Sequence, residues 1–311
     1  GTTGGSNRQT TTEKYNGTSW TEVNDLNTGR TDPGNLGTLQ TNSLCAGGNT
    51  SPGANYISNV EIFDGTSWTE VANTNANKHG AGGAGTSTDG IIFGGNIPSV
   101  TAATEAYNGT SWTEVADLAT ARTALAGAGT GSLGLAFGGA QPANSALTEE
   151  WSFSGIPPSS PVADYTEAIV GQFYFNSASN TFKYVQPGGA PVGTWASGGN
   201  LNTARNSLGG SQAGTQTASL AFGGEGGSKN ESEEYNGTSW TEGNNLNTAR
   251  GIITGAGTQT AALGIGGNAP GATALTEAYN GTSWSEVNDL NTARYGNKAG
   301  GIQTAALTFA G

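Results

Sequence analysis

The stretch TEAYNGTSWTEVADLATAR, residues 104–122, recurs in close copies along the whole 311-residue chain. Aligned on tryptophan, the copies are anchored at Trp20, Trp68, Trp112, Trp195, Trp240 and Trp284. Each anchor is followed ten positions later by a cation: Arg30, Lys78, Arg122, Arg205, Arg250 and Arg294. Five copies place an aromatic five positions before the tryptophan (Tyr15, Phe63, Tyr107, Tyr235, Tyr279); in the fourth, Trp151 takes that place and an insertion separates it from Trp195. A repeat that fills the chain outranks any single residue as a guide to architecture.

Each unit resolves into four short segments. After the cation comes a small-residue stretch such as residues 123–129 (TALAGAG), predicted strand a. An apolar run ending in a glycine pair, such as residues 133–139 (LGLAFGG), is strand b. Strand c surrounds the tyrosine and strand d the tryptophan, joined by Asn-Gly-Thr-Ser, and Asn-Gly favours the positive φ of a tight hairpin. Trp68 and Trp112 are 44 residues apart, as are Trp240 and Trp284. Four antiparallel strands in that length is the arithmetic of a propeller blade. Glycine and alanine crowd strand a because the innermost strands converge on the axis. Phe93, Phe137 and Phe222 of strand b, with the Tyr and Trp of c and d, are expected to pack between blades. Each fully buried Trp contributes up to about 5 kcal/mol.

The ends predict closure. The chain opens with TTGG and a c–d pair around Tyr15 and Trp20, and finishes with an a–b pair over residues 295–311. Glycine pairs beginning at Gly47, Gly94, Gly138, Gly223 and Gly266, with the terminal Ala310-Gly311, make six a–b pairs for six tryptophans. The expected fold is therefore all-β: one six-bladed propeller over residues 1–311, with the first blade completed by N- and C-terminal strands. Seven blades stay open if residues were trimmed from an end. Pairing first with last removes exposed sheet edges.

Composition narrows the function classes. Charged residues make up 11% and net charge is -12, a balance that opposes nucleic acid, whose phosphates need clustered Lys and Arg. No run approaches the eighteen apolar residues of a membrane helix, so membrane insertion is not expected. Cys45 is alone and cannot form an intrachain disulfide. Methionine is absent, from which a processed or excised piece of a longer chain is expected.

With a glycine pair ending one strand, then a Tyr, then a Trp, the repeat resembles the kelch propellers over the whole chain apart from the insertion. It departs from their usual pattern in its five-residue Tyr-to-Trp gap and its Asn-Gly turn. The near-identical copies of NGTSWTEV and GTQTAAL are similar to kelch-like proteins of marine tailed bacteriophages. That resemblance implies a virion structural or adhesion module, at the virion surface or outside the cell. Its implied partners are other virion subunits, a host-surface glycan or receptor, or further copies of the chain. A secreted or cell-surface kelch propeller serving as a protein-interaction platform is the alternative, and a carbohydrate-active enzyme a more remote one.

Two regions are candidates for contact. The insertion, residues 155–193 within the fourth c–d turn, opens Pro-rich (IPPSSPVADY) and continues as GQFYFNSASNTFKYV. Alternation there predicts a hairpin with Phe173, Phe175, Phe182 and Tyr184 on an aromatic face, read either as a docking arm or as a flap folded on the propeller. The b–c connections differ in length and chemistry, whereas the a–b turns and five of the six c–d turns hardly change. In a four-stranded blade the b–c and d–a connections share a face, which also carries the channel mouth. Asn55, Tyr56, Asn96, Pro98, Gln141, Asn144, Lys229, Asn230, Asn268 and Pro270 are candidate recognition residues on that face; drift in unconstrained loops is the other reading.

The repeated cation could read carboxylates or sulfates near that mouth. A Glu recurs just before each aromatic, however (Glu13, Glu61, Glu105, Glu149, Glu233, Glu277), and favours a structural ion pair. Catalysis is not expected, and neither is a cofactor or metal. The copper site implied by the best known kelch enzyme needs two His and two Tyr with a Tyr–Cys cross-link, whereas His79 is the only His and is expected in an exposed turn. The Asp boxes of sialidases are missing, because aromatics occupy that position. Adjacent carboxylates such as Glu149/Glu150 and Glu233/Glu234 point to opposite faces of a strand, which is poor geometry for acid–base work.

Overall fold

Strands stacked face to face with neighbouring sheets are covered on both sides, so their sequences should be continuously small or apolar. Strands b and c follow this rule: GIIF of Gly90–Phe93 is buried throughout, and TEAY of Thr104–Tyr107 is buried at three of four positions. Strand d, WTEV of Trp68–Val71, buries only its Trp. The six units therefore run from a covered inner strand to a wet outer one.

The computed structural model describes residues 8–51, 55–153, 173–176, 181–184, 193–227 and 229–311. It is a six-bladed propeller of four-stranded antiparallel sheets. Blades are numbered by their tryptophans. Blade 1 is Lys298–Ile302, Ala305–Phe309, Thr12–Tyr15 and Trp20–Val23; blade 2 is Gly34–Leu39, Asn42–Ala46, Val60–Phe63 and Trp68–Val71. Blade 3 is Gly82–Gly85, Gly90–Phe93, Thr104–Tyr107 and Trp112–Val115. Blade 4 is Ala126–Gly129, Leu133–Phe137, Thr148–Phe153 and Gly193–Ser197. Blade 5 is Gly209–Gly210, Ser219–Phe222, Ser232–Tyr235 and Trp240–Glu242, and blade 6 is Thr254–Thr258, Ala261–Ile265, Thr276–Tyr279 and Trp284–Glu286.

Closure follows the expected route. Thr12–Tyr15 pairs with Ala305–Phe309 in the register Thr12↔Phe309 to Tyr15↔Ala306, and each strand a touches the strands a of the blades on both sides, all the way round the ring. The c–d turns are four-residue loops rather than two-residue ones, since Tyr15 pairs with Trp20. Asn16 Oδ1 accepts from the amides of Thr18 and Ser19 at 2.9 Å each, and Gly17 takes φ +91°. The insertion joins strands c and d of blade 4, and within it Phe173–Asn176 pairs with Thr181–Tyr184.

Interfaces between blades repeat one contact set, seen in full between blades 5 and 6. Trp284 packs edge-on against Phe222 of blade 5 at 4.9 Å, and its Nε1 donates to Ser232 Oγ at 2.9 Å. Tyr279 donates its hydroxyl to Glu234 at 2.6 Å. Gln259, in the a–b turn, donates to the carbonyls of Ser219 and Tyr235. The linker from blade 5 then crosses onto blade 6: Arg250 donates to Glu277 at 2.9 Å and to the carbonyls of Gly266 and Leu275 at 2.8 and 2.7 Å.

Candidate functional site

All six repeated cations meet a buried carboxylate of the next blade, and the five Arg also donate to two carbonyls there. Arg30, Lys78, Arg122, Arg205, Arg250 and Arg294 pair with Glu61, Glu105, Glu149, Glu233, Glu277 and Glu13, every partner buried. Each cation sits on the d–a connection and meets the Glu of the next blade's strand c. Arg294 and Glu13, 281 residues apart, thus make the closing contact. Burial lowers the pKa of Arg122, Arg205, Arg250 and Arg294 while the paired carboxylates oppose the shift. A buried pair whose spare donors meet carbonyls is a positional device. Each of these cations is therefore engaged with a Glu of the next blade.

Around the axis the d–a connections form a second repeat. Asp32, Gly80, Ala124, Ser207, Ile252 and Gly296 all take φ between +47° and +70°. Backbone amides of Asp32, Gly80, Ala124, Ser207, Ile253 and Gly296 each donate to the carbonyl of the blade before, at 2.7 to 3.5 Å, in one circular chain. Four non-glycine residues, one of them β-branched, occupy a left-handed conformation that such residues rarely adopt, so closing this ring outweighs local preference.

Below the ring the channel is nearly filled. Asn35, Gln212, Thr254 and Lys298 line it, and two cavities of about 20 Å³ each lie along it, space for little more than a water apiece. Small residues at the axis were expected, yet Lys298 projects there because Gly34, Gly82, Ala126 and Gly209 occupy the matching strand positions. Lys298 is half-buried, and desolvation lowers its pKa against the pull of Asp32. A ligand does not fit this channel, so the face around its mouth is the remaining candidate.

That face carries the b–c connections, as expected, and their described residues carry bridges of their own. Asn96–Ile97 pairs with Ser99–Val100, and Ala140–Gln141 with Ala143–Asn144; single bridges Asn49↔Tyr56 and Asn268↔Ala272 do the same for blades 2 and 6. Further bridges, Thr31↔Asn49, His79↔Asn96, Thr123↔Ala140, Asn206↔Glu225 and Gly251↔Asn268, tie each b–c loop to its d–a connection. Two sets of variable residues therefore meet on one surface.

The ten candidate residues divide. Asn55, Tyr56 and Pro98 come together with Asn77 and Ile97 around a cleft of about 400 Å³ between the loops of blades 2 and 3. Asn96 lies beside it with its Oδ1 buried and without a hydrogen-bond partner. Asn144 is held in a network, accepting from Asn206 at 2.6 Å and donating to the Glu225 carbonyl. Asn230 donates weakly to the Leu246 carbonyl and Lys229 faces Glu231 at 3.8 Å. Asn268 is half-buried, while Gln141 and Pro270 are exposed and separate. Hairpin register pairs Phe173 with Tyr184 and Phe175 with Phe182, which puts the four positions on one face of that ribbon. The rest of the arm, 154–172, 177–180 and 185–192, lies outside the described residues.

His79 corrects an expectation. It is half-buried rather than in an open turn, and its ring stacks on Tyr56 at 4.0 Å and 17°. Burial lowers its pKa, and its Nδ1 has no partner. Nothing in the repeat marks this position, since a Thr, Asn, Gly or Tyr follows the cation elsewhere. Cys45 is buried in strand b, where desolvation raises its thiol to about 12. Glu149 pairs with Arg122, and Glu150 accepts from Tyr235 across the opposite interface. Among the described residues no group of three or more His, Cys, Asp or Glu comes together as a metal site. No protein-family model matches the chain, and a search of curated proteins returns no match.

Proposed function

We propose that this propeller is a non-enzymatic recognition module at a virion surface, and that the face bearing the b–c and d–a connections binds a host-surface glycan or protein. The fold is consistent with an interaction module, and one observation carries the choice of face. Chemical variation is concentrated in connections that emerge together, while belt contacts repeat around a ring whose channel is closed to ligands. The virion setting rests on the kelch-like repeats and their resemblance to phage propellers. Its partners there are other virion subunits, and the inserted hairpin, with its four aromatic positions, is the docking element toward them. The absence of a catalytic role in this reading rests on the adjacent carboxylates Glu149/Glu150 and Glu233/Glu234, each spent on a separate structural contact.

The test replaces the b–c loops of blades 2, 3, 5 and 6 together by minimal Gly-containing turns and compares binding with the parent on a glycan array and against host-cell surfaces. Lost binding with an unchanged melting transition is the expected outcome. Unaltered binding overturns the assignment of this face.

A further inference from the structure

The interface between blades 2 and 3 departs from the repeat at nearly every position. Lys78 stands where five interfaces have Arg, and Ala46 replaces the strand-b Phe. Val60 replaces the Thr or Ser that accepts from the next tryptophan, so Trp112 Nε1 turns to the Ala72 carbonyl at 3.0 Å. Ile62 stands where Glu150 and Glu234 receive a tyrosine hydroxyl, a contact also missing at Lys14, Ala106 and Ala278, and the a–b turn of blade 3, TSTD, lacks the Gln that stitches blade 6 to blade 5, as does that of blade 4. The 400 Å³ cleft opens between the loops above this interface. Departures of this kind concentrate where a surface has work other than holding the fold.

The cleft has the chemistry of a saccharide site. The Tyr56 ring is backed by the His79 ring, giving a rigid plate of the kind that covers the apolar face of a sugar. Asn55 and Asn77 are exposed on its walls; the Asn55 Nδ2 already donates to Thr50 Oγ1 at 2.7 Å, which fixes its amide and leaves its Oδ1 and second N–H for a hydroxyl, as the Asn77 amide also can provide. Ile97 and Pro98 complete the lining, which holds no charged side chain among the described residues. Two buried polar atoms beside it, His79 Nδ1 and Asn96 Oδ1, have no partner. Burial lowers the His79 pKa, with Asp32 opposing the shift. The volume lies within the roughly 300–1,000 Å³ of small-ligand sites. We propose that this cleft binds a neutral, hydroxyl-rich glycan, on the plate formed by Tyr56 over His79 and between the amides of Asn55 and Asn77. Among the described residues the lining offers a uronate or sialoside carboxylate no charged side chain, and the overall charge of -12 opposes such sugars.

The inference rests on the proposed recognition face, and the experiment separates the two. The full chain, Tyr56→Ala, Asn77→Ala and a control on the opposite face, Thr282→Ala in the exposed c–d turn of blade 6, are titrated with neutral hexose and N-acetylhexosamine oligosaccharides and with their sialylated and uronate counterparts. Expected is binding of neutral sugars only, weakened about tenfold or more by Tyr56→Ala, as for loss of an aromatic anchor. Asn77→Ala also weakens it and Thr282→Ala leaves it unchanged, with melting transitions of all variants preserved. Preference for acidic sugars, no saccharide binding, or neutral binding indifferent to both Tyr56→Ala and Asn77→Ala overturns the cleft. Saccharide binding that survives those two variants but is lost on replacing the other b–c loops keeps the face and discards the cleft; binding indifferent to every loop discards both.

Discussion

The interfaces between blades 5 and 6 and between blades 2 and 3 descend from the same repeat and are built differently. In the first, Arg250 meets Glu277 and two carbonyls, Trp284 meets Phe222 and Ser232, and Gln259 caps two strands. In the second, the Lys78 ammonium lies 2.7 Å from Glu105 but out of line for a hydrogen bond, and it cannot reach the carbonyls that a guanidinium fork spans. Fewer directional contacts hold blades 2 and 3, and the open cleft sits between their loops. The difference teaches that a repeat protein reveals its exceptional place by where the consensus lapses.

The contrast can be broken most forcefully from the strong side. Glu277→Ala leaves Arg250 charged and buried without its carboxylate, and should cost about 3–5 kcal/mol in denaturant unfolding. Pro270→Ala on the exposed loop nearby should stay within about 0.5 kcal/mol. Equal effects from the two would mean that the ion-pair belt does not hold the ring. From the weak side, Lys78→Arg restores the fork present at five sister interfaces and should stabilise by about 1 kcal/mol. A loss of stability would show that blades 2 and 3 have adapted around the lysine. The smallest effect at neutral pH concerns Tyr235, whose hydroxyl is buried, donates to Glu150 and is pushed up to about 12. Its folded pKa lies above the unfolded value near 10, so its contribution is full below about pH 10 and is lost as pH rises toward 12. Tyr235→Phe should therefore flatten the alkaline fall of the melting temperature, read by a pH series.

Much of the wheel was legible because its signals are periodic. The Trp-to-cation spacing, the Glu before each aromatic and the split unit at the termini named six blades, their closure and the ion pairs. Which Glu each cation meets was not legible: Arg30 pairs with Glu61 of the following blade, a choice made by the path of the d–a linker. The Gln of GTQT looked like turn chemistry, yet Gln259 reaches the carbonyls of the blade before. Blades 3 and 4 do without that Gln, so the a–b turns are less uniform than expected. For the site, loop variability pointed to Asn55, Tyr56 and Pro98, while Asn77, Ile97 and His79 were missed. Asn77 and His79 belong to a d–a connection, and only the bridges between the two kinds of loop bring them beside the others.

By itself, the order of residues determined the strand count, the antiparallel meander, the six-fold repetition and the meeting of the two ends, because hydrophobic period, turn chemistry and copy number act locally along the chain. The tertiary structure alone decided that the axis is closed by a circle of left-handed residues, that Lys298 occupies it, and that one interface opens into a cleft. Those features arise where six blades converge, and the space left there depends on all of them at once.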